Sequence, residues 1–224
     1  MNHCIWFRSA AVALLLNHAL PAAATIVAQW NMDNTFGTTM EDSSGNGNVG
    51  TTYDIVTSGG GYIFNGTSSK AVVPNSASLI PGASDFSWTV QMQTDRIPDV
   101  GTDYDLIRKG TGTNTGGEYK IEIVNVRGKG VAKCVVWDNA GHTATKQGTT
   151  NIADDVLHTI TCSKTSTGLT LTIDALTPLT KAASVGAITT TLPLTIGVKA
   201  QKATGASADW YSGNMRSASV SIGP

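Results

Sequence analysis

Three groupings of side chains have the types and spacing that chemistry could use. In "HTITCSKTSTGLTLTID" (158–174), His158 stands four residues before Cys162 and Asp174 closes the stretch. An imidazole, a thiol and a carboxylate are the parts of a nucleophilic site or of a metal corner. On a strand, even separations turn His158, Ile160 and Cys162 to one face. In "GGEYKIEI" (116–123), Glu118, Lys120 and Glu122 also share a strand face. Glycosidic hydrolysis needs two carboxylates flanking one bond, and here a lysine stands between them. Beyond residue 24 the remaining glutamate is Glu41. A solvated sheet face is therefore the expected role of the trio, and no catalytic residue is assigned. In "DSSGNG" (42–47), Asp42, Ser44 and Asn46 match the first half of an oxygen-ligand calcium loop. Tyr53 takes the twelfth position, where the distal acid belongs, and the same three residues are good turn formers. Structural calcium at Asp42, Ser44 and Asn46 is the one cofactor the sequence raises; otherwise none is expected.

Binding chemistry leaves a different signature. If Cys134 and Val136 point inward, Trp137 points out, ahead of a polar Asp138-Asn139 turn. Set on one face with Gln91, Gln93, Glu118, Lys120 and Glu122, its indole offers what a sugar needs. Amides and carboxylates bond hydroxyls, and the ring stacks on the apolar C–H side. The alternative place is the loop "ATGASADWYSG" (203–213), with Asp209, Trp210 and Tyr211.

The elements that must position these groups are strands. Short alternating segments recur at 26–32, 62–65, 70–74, 86–94, 104–109, 119–125, 131–137, 158–164, 169–174, 193–199 and 214–222, divided by Gly, Asn, Asp, Ser and Pro. Phe86, Trp88, Val90 and Met92 fall on one face of their segment, while Lys164–Gly168 reads as a turn. No window shows a convincing helical period. About a dozen antiparallel strands, each with one apolar face, predict an all-β two-sheet sandwich or jelly roll.

Residues 1–24 stand apart. Arg8, a short apolar run and the small residues Ala22, Ala23 and Ala24 have the form of a secretory signal peptide, cleaved after Ala24. The remaining domain, 25–224, loses only Arg8 of the 15 basic residues, leaving 14 against 16 acidic. That balance does not steer the chain to nucleic acid, and no later stretch is long and apolar enough to span a membrane. Cys134 and Cys162 remain in an exported chain, so one disulfide is expected, with free thiols as the alternative.

The order of the segments resembles the laminin-G-like jelly rolls of the concanavalin A-like lectin/glucanase superfamily. The resemblance runs through "WNMDNTFGTTMEDSSGNGNVGT" (30–51), "YIFNGTSSKAVVPNSASLIPGASDFSWTVQM" (62–92), "LIRKG" (106–110), "LHTITC", "LTLTIDA" and "LTIGV" (194–198) to "YSGNMRSASVSI" (211–222). Two cysteines with a His-Thr-Ile-Thr-Cys strand are similar to secreted actinobacterial members. Departures fall at Leu157, Ala175, Asn65 and Arg216, and the loss of two acids counts against an inherited calcium site. The resemblance implies a concanavalin A-like jelly roll and a secreted, non-catalytic, lectin-like module. Its partner would be a polysaccharide or glycoconjugate, met as a monomer or weak associate. An extracellular adhesive or protein-binding module is the alternative, and a jelly-roll hydrolase or lyase the third reading.

Overall fold

The computed structural model describes residues 24–34, 37–112, 115–200, 204–205 and 208–223. The expected signal peptide, 1–24, lies outside these apart from Ala24. Two antiparallel sheets face each other. The back sheet runs in the order β14 (Leu179–Ala182), β13 (Gly168–Ile173), β12 (His158–Lys164), β7 (Phe86–Gln93), β16 (Ser212–Ile222), β5 (Gly61–Asn65) and β4 (Val56–Ser58). β1 (Thr25–Trp30) pairs with the C-terminal half of β16, and β5 with its N-terminal half. The front sheet runs β11 (Thr143–Gln147), β10 (Lys129–Trp137), β9 (Glu118–Val126), β8 (Asp103–Gly110), β15 (Leu194–Ile196), β6 (Lys70–Val73), β3 (Gly50–Tyr53) and β2 (Thr39–Met40). Ala77–Leu79 forms a short 3-10 turn, and among the described residues no helix is long and apolar enough to cross a membrane.

The alternation seen in the sequence places the core. β7 and β12 lie side by side and bury every second residue, so Phe86, Trp88, Val90 and Met92 line the same interior face as Ile160 and Cys162. Phe86 stacks on Trp88 at 4.9 Å, and Tyr119 from the front sheet meets Phe86 at 5.2 Å and Trp88 at 5.5 Å. These rings bury large apolar area and fix the two sheets relative to each other. Trp30 is also fully buried, its indole N–H donating to the Asn48 carbonyl at 2.8 Å.

Cys134 of β10 and Cys162 of β12 are joined, with Cα atoms 5.8 Å apart. Packed sheets ordinarily lie about 10 Å apart, so the bridge marks the side where the sandwich closes. The eleven expected strands all form. Those the sequence does not predict are β2, β3, β4, β11 and β14, of two to five residues, lying at or next to sheet edges. Edge strands bury little, so their sequences carry little alternation.

Candidate functional site

On the front sheet, the register of β8, β9 and β10 turns one file of side chains per strand away from the core. Asp105 lies opposite Glu122, Arg108 opposite Lys120, Lys133 opposite Glu122, and Trp137 opposite Glu118. The charged members form one network. Arg108 donates to Asp105 at 2.8 Å and to Glu118 at 2.6 Å. Its third donor reaches the Gly110 carbonyl at 2.9 Å. Lys120 contacts Asp103 at 3.3 Å, Asp105 at 3.2 Å and also Glu122, whose other oxygen meets Lys133 at 2.6 Å.

This corrects the expectation of a solvated face. Glu118, Lys120 and Glu122 point outward yet are 3%, 7% and 1% exposed, because the network covers itself. Isolated buried charges are costly, and only mutual pairing makes the arrangement tolerable. Burial raises the Glu118 carboxyl above the usual carboxylate range, against the pull of Arg108 and Lys120. Burial opposes the charge of Lys120, but Asp105 and Glu122 outweigh it and hold its pKa above that of an ordinary lysine. Four strand residues separate the Cα atoms of Glu118 and Glu122 by about 13 Å. Both carboxylates already hold cations.

Beside the network runs a groove of about 340 Å³, lined by Trp137, Lys133, Val135, Thr143 and Thr145 together with the charged file. Trp137 is half-buried and outward-facing, as the parity of β10 predicts. Its indole lies against Gly112, where a Cβ would come within 3.0 Å of the ring. A side chain at Gly112 would crowd the ring by a few tenths of an ångström, so glycine lets the indole rest close on the backbone and be supported from below.

Gln91 and Gln93 do not belong to this face. They sit on β7 in the back sheet, where Gln91 donates to Thr159 at 3.3 Å and Gln93 to the Asp155 carbonyl at 2.8 Å. The expected single surface is thus split between opposite sides of the sandwich. Parity told which way each strand faces its own core, but strand pairing decided which sheet it joined.

The loop before β16 is also divided. Tyr211 is fully buried, tilted on Phe64 at 5.5 Å, with its hydroxyl 2.9 Å from the carbonyls of Gln93 and Asn214. It is a core residue and not part of an exposed loop site. Trp210 is half-buried, its indole N–H donating to the Gly205 carbonyl at 3.1 Å. The Lys70 ammonium lies 5.7 Å from the Trp210 ring and 5.5 Å from that of Tyr53. Tyr53 and Lys70 pair across β3 and β6 and wall a depression of about 310 Å³ with Trp210. Sequence reasoning missed Tyr53 because β3 has no apolar alternation that marks it as a strand, and Lys70 because the pairing that sets it beside Tyr53 leaves no mark in the 70–74 segment. Asp209 pairs with Lys199 at 2.8 Å, and its carbonyl accepts from the Asp105 backbone at 2.9 Å. Carboxylate oxygens of Asp103, Asp105 and Asp209 lie within 4.8 Å of one another. Lys120 and Lys199 already neutralise that group.

The remaining chemical groupings are structural. Cys162 is bridged, and His158 lies between two carboxylates, with Nδ1 at 2.8 Å from Asp174 and Nε2 at 2.9 Å from Asp154. In the turn at 42–47, the Asp42 carboxylate accepts from the backbone of Gln29, Ser44 and Asn48 and from the Ser44 hydroxyl, at 2.8–3.0 Å. Asn46 turns its amide to the Ile26 carbonyl at 3.4 Å and to Ser44. These residues fit a hydrogen-bonded turn better than a cation, because the one carboxylate is committed to four protein donors.

No protein-family model matches the chain, and no curated protein does. Solved structures do match. Domain 4 of AbnA, a GH43 extracellular arabinanase from Geobacillus stearothermophilus solved with arabinotriose, aligns with TM-score 0.60 at 15% identity over 89% of this chain and 93% of that one. A structure of botulinum neurotoxin type C, a toxin whose cell entry is dependent upon interaction with two ganglioside molecules, aligns with TM-score 0.59 at 10% identity over 88% of this chain. A botulinum neurotoxin DC binding domain in complex with rat synaptotagmin II aligns with TM-score 0.58 at 10% identity over 88%. This chain spans about half the length of each toxin chain, 46% in both cases. At these identities the likeness is one of fold, and the fold is a two-sheet jelly-roll sandwich.

Proposed function

We propose that the protein is an exported, non-catalytic module that binds glycan on the outer face of the front sheet. The observation that carries this reading is Trp137 seated on Gly112 at the edge of a groove of fixed charges. An indole held from below keeps its place without ligand, so little ordering cost remains when a sugar ring stacks on it. Lys133 and Glu118 stand beside it as donor and acceptor for hydroxyls. The pairing of Glu118 with Arg108 and of Glu122 with Lys120 and Lys133 supports binding over hydrolysis. The arabinotriose complex of the arabinanase domain and the ganglioside dependence of the toxin add support from the fold.

A protein-binding adhesive role is the second reading, favoured by the toxin domain solved with synaptotagmin II. Panning the protein over a broad glycan panel separates the two. Trp137→Ala should weaken glycan binding by about fivefold to tenfold with little change in melting temperature, read by calorimetry and thermal melting. Unchanged affinity removes Trp137 from the site, and a large loss of stability marks it as core.

A further inference from the structure

The groove beside Trp137 does not stand alone. It ends at Asp103, and Asp103 also lines a second depression of about 180 Å³ with Tyr104, Asp209 and Trp210. Trp210 in turn walls the third depression, with Tyr53 and Lys70. Each depression therefore shares a wall residue with the next. We infer that the three form one trough, which holds a neutral polysaccharide between two aromatic anchors.

The two anchors are far apart. Five inter-strand steps of about 4.8 Å separate β10, which carries Trp137, from β3, which carries Tyr53, or about 24 Å in all. A mono- or disaccharide cannot touch both. A chain of several units can, and linking the contacts makes the second anchor an intramolecular gain. The far anchor is as well supported as the near one. Trp210 is held through the Gly205 carbonyl, and the Lys70 ammonium lies near the Trp210 and Tyr53 rings. The charge along the path selects the polymer. Asp103 and Asp209 are paired with Lys120 and Lys199, but Asp99 adds a further carboxylate to the second depression, and no basic residue is among its walls. A polyuronate would meet like charge there, whereas neutral hydroxyls can donate to those carboxylates.

This inference rests on the glycan reading above, and the test separates the two. Arabinan, xylan, mannan, mixed-linkage β-glucan and polygalacturonate are titrated by calorimetry, each as polymer and as an oligosaccharide series from disaccharide to octasaccharide. The proteins are wild type, Trp137→Ala, Trp210→Ala, Trp210→Leu and Tyr53→Ala, each checked by thermal melting. For the neutral polymer that binds, affinity should climb over several added units. Trp137→Ala and Trp210→Leu should each cost about fivefold to tenfold on the polymer and flatten the length series. Trp210→Leu keeps apolar packing, so it reports stacking even where Trp210→Ala unfolds. A trisaccharide that binds as tightly as polymer overturns the trough and leaves the glycan reading standing. So does full affinity in both Trp210→Leu and Tyr53→Ala. Tighter binding of polygalacturonate overturns the neutral assignment. Binding to none of the five polymers, with binding elsewhere on the broad glycan panel, overturns the trough alone, and binding to nothing on either overturns the glycan reading with it.

Discussion

His158 shows how a residue with catalytic partners in sequence becomes a clamp in the fold. Both ring nitrogens are taken, one by Asp174 at the end of β13 and one by Asp154 in the loop before β12. Burial works against its charge, but the hydrogen bonds to Asp174 and Asp154 outweigh burial and raise its pKa above 6.5. A raised folded-state pKa contributes stability that is fully present below the unfolded value and is lost as pH rises through the folded value. The stability difference between wild type and His158→Asn should therefore be largest in mildly acidic buffer and shrink through and above neutrality. Denaturant melts of both proteins across pH 5 to 9 check it, and a pH-independent difference removes the charged clamp.

Elements hold these residues in place, and two of them carry predictions. β10 and β12 are tied by the disulfide across 28 residues of sequence. Closing a loop of that length stabilises the fold by about 3–4 kcal/mol in the chain-entropy model. Cys134→Ser should lower unfolding free energy by about that amount without changing glycan binding. Alkylation of the mature protein, Thr25 onward, without reductant should leave its mass unchanged, and two added groups would break the pairing. The turn at 42–47 belongs to the same scale. Asp42 links it to β1 through Gln29, so Asp42→Ala should cost about 1–3 kcal/mol through orphaned backbone donors. Calcium added to chelator-treated protein should leave the melting temperature where it was. A rise with calcium would instead identify a bound ion, since a ligand of the folded state stabilises by mass action.

For the whole molecule, the first strand bears on processing. β1 begins at Thr25 and pairs with Ile222 at the other end of the chain. Cleavage after Ala24 would free a chain whose first residue is already in a sheet. Exported protein should therefore begin at Thr25 in N-terminal sequencing, and light scattering should give the mass of a monomer. An uncleaved N-terminus would mean that residues 1–24 act as an anchor. At this scale the sandwich presents two outer faces of different character. The back one bears neutral threonine, serine and glutamine pairs such as Thr89 with Thr161, and the front one bears the buried charges.

The sequence by itself determined what repeats within a few residues. Alternation every second residue set the core faces of β7, β9, β10 and β12, sent Trp137 outward, and put Cys134 and Cys162 inward. Those are local consequences of strand geometry and need no knowledge of neighbours. Only the tertiary structure decided which strand lies beside which. It separated Gln91 and Gln93 from Glu118, buried Tyr211, brought Tyr53 and Lys70 to Trp210, and made a closed ion network of residues that read as solvated. Where antiparallel pairing joins segments far apart in the chain, as β7 with β16 or β5 with β16, it leaves no local signal in either of them. Burial of a charge depends on partners brought by that pairing, which is why the outward charges of β9 look exposed in sequence and are covered in the fold.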